Sequence, residues 1–166
     1  ADKSFRKGLA NVLIDEQRHF ALYSEHLTTL GANFGDLPLN DHFWMAAQKI
    51  SDPLDWVCTM HLTFEQANLD HAPYFGRAFE EVEDFASAEL MKVIFEDEIR
   101  HVRFGGKWLK KWSPEGQSTF DTYLQHCSGG RSPFRAKGFE FQREARQAAG
   151  LDGDFISKLE AWNSDL

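Results

Sequence analysis

The string Asp-Glu-x-Arg-His stands twice in this chain, at residues 15–19 and again at 97–101. A lone Glu-x-x-His is a weak signal, but two copies with the same flanking Asp and Arg are far less expected by accident. Their register on the helices says more than the string. Apolar residues recur at Phe5, Leu9, Val12, Phe20, Tyr23, Leu27 and Leu30, at spacings of three and four, and the same walk passes through Glu16 and His19. Between Phe95 and Gly105 an equivalent walk passes through Glu98 and His101. Both motifs are therefore expected to point into a core.

The periodicity predicts a long amphipathic helix from Asp2 to Leu30, stopped by Gly31 in the left-handed conformation that glycine adopts without steric cost. A crossover over 32–51 holds one short helix, Phe43 to Ala47, capped by Asn40 or Asp41. Ser51-Asp52-Pro53 starts a second long helix with Leu54, Val57, Cys58, His61, Glu65 and Asn68 on one face. It is expected to end near His71, and Pro73 opens a separate short helix running through Phe79 and Val82. Asp84 caps a third long helix to about residue 112. Short helices follow at Thr119–His126, Phe139–Ala149 and Phe155–Trp162, with a loop from Ser128 to Pro133, and no strand pattern is present.

Carboxylates and imidazoles on an apolar seam need compensation, because burying them unpaired is costly. Glu at i and His at i+3 share a helix face and can hold one cation between them. Two such helices place two cations side by side, and Glu65 from the second helix can bridge them. Oxygen and imidazole donors without thiolate favour iron or manganese over structural zinc. Asp15 and Asp97 are placed to accept the second N–H of a ligand imidazole, most naturally across to the opposing helix, with Arg18 and Arg100 pairing with those carboxylates. The alternative for the repeat is a pair of solvated Glu/His faces on surface helices, which the register disfavours.

Acidic residues outnumber basic ones 26 to 18, a net charge of −8. That balance argues against nonspecific binding to nucleic acid or to an anionic membrane. The cluster Arg100, Arg103, Lys107, Lys110 and Lys111 reads as a solvated helix end complementing the dipole. No apolar run is long enough to span a bilayer. Cys58 and Cys127 suggest neither a disulfide framework nor a zinc site, which fits a reducing cytoplasm. Cys58 with His61 is the spacing of a thiol nucleophile and its base, but a small buried hydrophobe is the stronger reading. Tyr23 and Phe64 can line a cavity or simply fill the core, and Gly105 serves either a ligand or close helix packing, with packing preferred. His26, His42, His71 and His126 match no ligand spacing and are read as surface or loop residues.

With these residues in view, the chain resembles the ferritin-like superfamily, whose di-iron and di-manganese carboxylate members take one Glu from each of two helices and Glu-x-x-His from each of two others. More narrowly it is similar to a bacterial ferritin-like family of unassigned function. The resembling stretches are Asp15 to Phe20 with the Leu30-Gly31 stop, Gly35-Asp36-Leu37-Pro38, Phe64 to Asp70, Asp97 to Val102, and Pro133-Phe134 leading to Ala145–Gly150. The resemblance implies an all-α ferritin-like helical bundle over 1–126 with a C-terminal helical extension over 127–166. It implies Glu16, His19, Glu65, Glu98 and His101 as metal ligands, and Asp15 and Asp97 behind them. The cofactor implied is two iron ions, with manganese or a mixed iron–manganese pair as alternatives.

Such bundles take a sixth ligand from a helix preceding the first Glu-x-x-His helix, and only fourteen residues precede Asp15 here. The expectation is either a longer protein, favoured by Ala at position 1, or a fourth wall from the C-terminal segment or a second copy in a homo-oligomer. The leading functional expectation is an oxygen-dependent oxidoreductase with dioxygen and a small organic molecule as its partners. Behind it stand a ferroxidase-like metal-binding protein without organic substrate and a structural bundle with a degenerate site.

Overall fold

A computed structural model describes residues 2–127 and 132–163. Among these residues the fold is all-α. Helices α1 (Lys3–Thr29), α2 (His42–Ala47) and α3 (Pro53–Trp56) lead into a π-helical segment, Val57–Glu65. Then follow α4 (Gln66–Glu81), α5 (Phe85–Trp112), α6 (Thr119–His126), a 3-10 turn (Pro133–Ala136), α7 (Arg143–Ala148) and α8 (Gly153–Ala161). Gly129 and Gly130, expected in a loop, lie outside the described residues, as does Ala1.

Local chemistry accounts for most of the boundaries. The Asp2 side chain caps α1, accepting from the Ser4 N–H at 2.8 Å. At its other end Gly31 sits at φ 82°, while the Ala32 and Gly31 N–H groups return to the carbonyls of Leu27 and Thr28. That pair of bonds is the Schellman motif, which satisfies carbonyls the helix leaves unpaired. Asp52 caps α3, Asp84 caps α5, Ser118 caps α6 and Asp152 caps α8, each accepting from a first-turn N–H. At α2 the bond is made by Asn40, which accepts from the His42 N–H at 2.7 Å.

The expected break at Pro73 does not occur. Pro73 lies inside α4, which runs on to Glu81. A proline in a helix removes one N–H and crowds the preceding turn. The helix is carried past it by burial: Ala67, Leu69 and Ala72 are packed away, and at Gly76 the helix lies alongside Met91 of α5. The expected second helix is thus one long, non-uniform rod: α3, the π segment and α4 in succession. In a π-helix residues five apart are neighbours. Here the Thr63 hydroxyl donates to the carbonyl of Cys58, five positions back, at 2.7 Å. Downstream, the expected Phe139–Ala149 helix is confined to Arg143–Ala148, because Gly138 and Gln142 give their N–H groups to Asp70 instead of to a helix.

Helix α5 is the axis of the molecule. Helix α1 runs antiparallel along it: Phe5 packs on Trp108 and Trp112 with ring centroids 5.2 and 5.0 Å away, and His26 meets Ser87 at the far end. The α4 rod runs antiparallel on another side, with Asn68 beside Glu98 and Gly76 beside Met91. Helix α1 packs through one stripe, so Leu13, Ile14 and Phe20 on its other sides remain 59%, 63% and 54% exposed. The four histidines read as surface or loop residues all stand on helices. His26 bonds Ser87, His126 bonds Asp55 at 2.8 Å, His71 is wedged beside Gly138, and only His42 is fully at the surface.

Candidate metal centre

The antiparallel pairing of α1 with α5 sets the two copies of the repeated motif face to face, and they interlock. The His19 imidazole donates from Nε2 to Asp97 at 2.9 Å, while His101 Nε2 lies 3.3 Å from Asp15. Each motif thus supplies the carboxylate that orients the other motif's imidazole. Arg18 and Arg100 both donate to Asp97, and each guanidinium stands 3.6 Å from Asp15. Burial works against charge on Asp97, but His19, Arg100 and Arg18 hold its carboxyl below the ordinary range.

With Nε2 engaged, Nδ1 of each imidazole turns inward. Glu16 Oε1 lies 3.5 Å from His19 Nδ1 and 3.3 Å from His101 Nδ1, and the two ring centroids are 5.7 Å apart. Two donor groups result, each with its ligand atoms within 4.8 Å of one another: Glu16, His19 and Glu98 form one, and Glu16, Glu65 and His101 form the other. Glu16 is the carboxylate common to both groups. The Glu65 side chain, projecting from the end of the π segment, reaches one group only. His19, Glu98 and His101 are buried as expected, whereas the Glu16 side chain is 44% exposed and opens toward solvent.

Glu98 Oε1 accepts from the Asn68 amide at 2.8 Å, and its other oxygen, Oε2, stands 3.3 Å from His101 Nδ1. That oxygen and that nitrogen are both buried and neither makes a hydrogen bond. Two facing buried polar atoms without hydrogen bonds are each free to act as a cation ligand. The charges carry the same demand. Burial opposes charge on His101, yet the Glu16 and Glu98 carboxylates 3.3 Å from Nδ1, with the Glu65 charge, push it up to about 11. Burial likewise opposes ionisation of Glu16, but His101 and His19 bring it down to about 2. Burial, and then the Glu65 charge, raise Glu98. Without an ion, protons on the imidazoles supply the positive charge that the carboxylates require, and the residues present fit a pair of cations in that role.

Two spaces flank the cluster. A groove of about 710 Å³ runs between α1 and the π segment, lined by Leu9, Val12, Leu13, Met60 and Phe64, with Glu16, Glu65 and Glu98 in its wall and Arg6 among its lining residues. On the other side, Tyr23, Asn68, His71, Phe75 and Met91 line a pocket of about 320 Å³. The Asn68 side chain borders both. Phe64 is buried, so it fills core as well as bordering the groove, whereas Tyr23 is exposed and only borders its pocket. Burial first, then the charges of Glu98 and Glu16, raise the Tyr23 phenol.

Gly105 serves packing: an added Cβ there would lie 2.7 Å from the Cβ of His61. Cys58 is fully buried and its thiol is pushed far up by burial, which suits a core residue and not a nucleophile. Sequence reasoning assigned no role to Asn68, although its spacing of three from Glu65 puts it on the ligand face. Another group, Asp52, Asp55 and His126, escaped notice because its members are 71 residues apart. Asp52 Oδ1 caps α3, and Asp55 accepts from Ser51 and His126.

An uncharacterized protein of Haemophilus influenzae is 32% identical to this chain over 106 residues, which are 63% of the chain and 37% of that relative's length. The chain therefore spans well under half of the curated relative it matches. No solved structure matches it significantly. The family model described as "Protein of unknown function (DUF455)" matches residues 1–157. On that match the chain belongs to the DUF455 family.

Proposed function

We propose that this chain is a ferritin-like di-metal carboxylate protein, that its ions are iron, and that it acts as an oxygen-dependent oxidoreductase on an organic substrate. The observation that carries this reading is the pair of donor groups sharing Glu16, with Glu98 Oε2 and His101 Nδ1 buried and unbonded 3.3 Å apart. Glu16, His19 and Glu98 would hold one ion, and Glu16, Glu65 and His101 the other. Two ferrous ions held there would supply two of the four electrons that reduce dioxygen, the organic substrate giving the other two.

The chain's own residues prepare the site. Asp97 and Asp15 fix the imidazole orientations and so aim Nδ1 at the carboxylates. Arg18 and Arg100 neutralise those outer carboxylates. The Asn68 amide holds one Glu98 oxygen and leaves the other for a ligand role. The apolar wall of the groove suits an organic molecule beside Glu16, which favours an enzyme over a ferroxidase-like protein without organic substrate.

The test is the metal content of the full-length protein purified with iron supplied, with the optical spectrum taken before and after oxygen. The reading expects two irons per chain, a spectrum that responds to oxygen, and loss of iron on His101→Ala. Metal-free wild-type protein after iron supply would leave the structural bundle as the better account.

A further inference from the structure

Resting on that reading, we propose that His61 is a positioning residue for Glu65, and that Gly105 exists to seat it. Glu65 is the one carboxylate of the cluster that comes from the π segment, so neither copy of the repeated motif fixes it. Its Oε2 accepts from His61 Nδ1 at 2.5 Å, four residues earlier on the same face. His61 is itself almost fully buried. One carboxylate oxygen is thereby tied down, and the other is left to complete the group with Glu16 and His101.

His61 is held in turn. Its ring meets Phe104 edge to face with centroids 5.1 Å apart. Its Cβ sits where only a glycine on α5 leaves room, since any Cβ at position 105 would lie 2.7 Å from it. Gly105 is four residues beyond His101, so one stretch of α5 carries a ligand of the group and the gap that lodges the support of another ligand. The outer partners then form a complete set. Asp97 holds His19, Asp15 holds His101, Asn68 holds Glu98 and His61 holds Glu65. Only the shared, half-exposed Glu16 has no such support outside the cluster.

The inference assigns His61 to one ion of the two, and a titration with Co²⁺ alone reads this without any activity. Full-length wild-type protein is expected to bind two Co²⁺ per chain. His61→Leu removes the N–H while filling the space. It is expected to weaken one ion by about 10- to 100-fold, the usual effect of losing a partner behind a ligand. That ion should be the one His101→Ala removes, with the ion of the His19 group unchanged. His61→Asn, which keeps a donor near the position of Nδ1, is expected to restore most of the affinity. Should His61→Leu fail to fold, Gly105→Ala takes its place, because it displaces His61 without altering its chemistry and should weaken the same ion. Equal affinities in wild type and His61→Leu, equal weakening of both ions, or no rescue by Asn would each overturn the role of His61. Wild-type protein that binds no Co²⁺ would overturn the di-metal reading itself, and His61 with it.

Discussion

Asp70 and Arg146 meet in parallel, Oδ1 to Nη1 at 2.7 Å and Oδ2 to Nη2 at 2.9 Å, and neither side chain has any exposure. The same carboxylate accepts the N–H groups of Gly138 and Gln142, while the guanidinium lies 3.8 Å from the centre of the Phe141 ring and donates to the Ala136 carbonyl. One pair therefore clamps the segment after residue 132 onto α4. Removing one partner of a buried pair strands a charge, at a cost of about 3–5 kcal/mol. Arg146→Met is expected to lose about that much in urea denaturation. Asp70→Leu is expected to lose more, because it also strands two backbone N–H groups. Equal midpoints for wild type and both variants would refute the clamp.

At Asp152 the stability is expected to depend on pH. Burial opposes its charge, but the Thr119 hydroxyl at 2.6 Å and the Phe155 N–H at 2.8 Å lower its carboxyl below 3.8. A group whose folded value is depressed stabilises fully above its unfolded value and loses that contribution as pH falls through the folded one. Asp152→Ala should cost about 0.5–2 kcal/mol at neutral pH, as loss of a helix cap does. The gap between variant and wild type should shrink below pH 3.8. Denaturation curves at several pH values check this, and a gap that widens on acidification would contradict it.

Gly31 tests the end of α1 separately from the site. Nothing lies within 4 Å of a Cβ added there, so only its φ of 82° opposes substitution. Gly31→Ala is expected to cost about 1–2 kcal/mol, the left-handed penalty of an L-residue. It should leave metal binding unchanged, because residue 31 is three turns beyond His19. Thermal denaturation measures the first and Co²⁺ titration the second.

The sequence made the long helices legible because their caps and apolar stripes are local. Asp52 and Asp84 act within a turn of their own position, and so does Gly31. The reciprocal placement of Asp15 and Asp97 was legible too, since two copies of one motif on antiparallel helices must face each other. Pro73 misled because a local rule met a non-local one: packing on α5 outweighs the missing N–H. The π segment carries no periodic signature of its own, so the widened turn that delivers Glu65, and the presence of Glu16 in both donor groups, could not be read. Contacts between residues far apart in the chain, such as Asp55 with His126 and Asp70 with Arg146, leave no mark on spacing at all.

The division of labour among the carboxylates yields the sharpest expectation. Glu16 belongs to both donor groups, Glu65 to one, and His19 to the other. If two ions occupy the cluster, Glu65→Ala and His19→Ala should each weaken one ion and leave its neighbour in place, whereas Glu16→Ala should weaken both. Glu16 faces the buried imidazoles of His19 and His101, so its replacement also changes stability and thermal denaturation of Glu16→Ala is needed beside its stoichiometry. Glu65 and His19 are more buried, so their thermal denaturation must be measured beside their Co²⁺ stoichiometry. A Glu16→Ala protein that keeps one ion at wild-type affinity would place the shared position elsewhere, with Glu98 the remaining carboxylate close enough to serve, since its free oxygen stands 3.3 Å from His101.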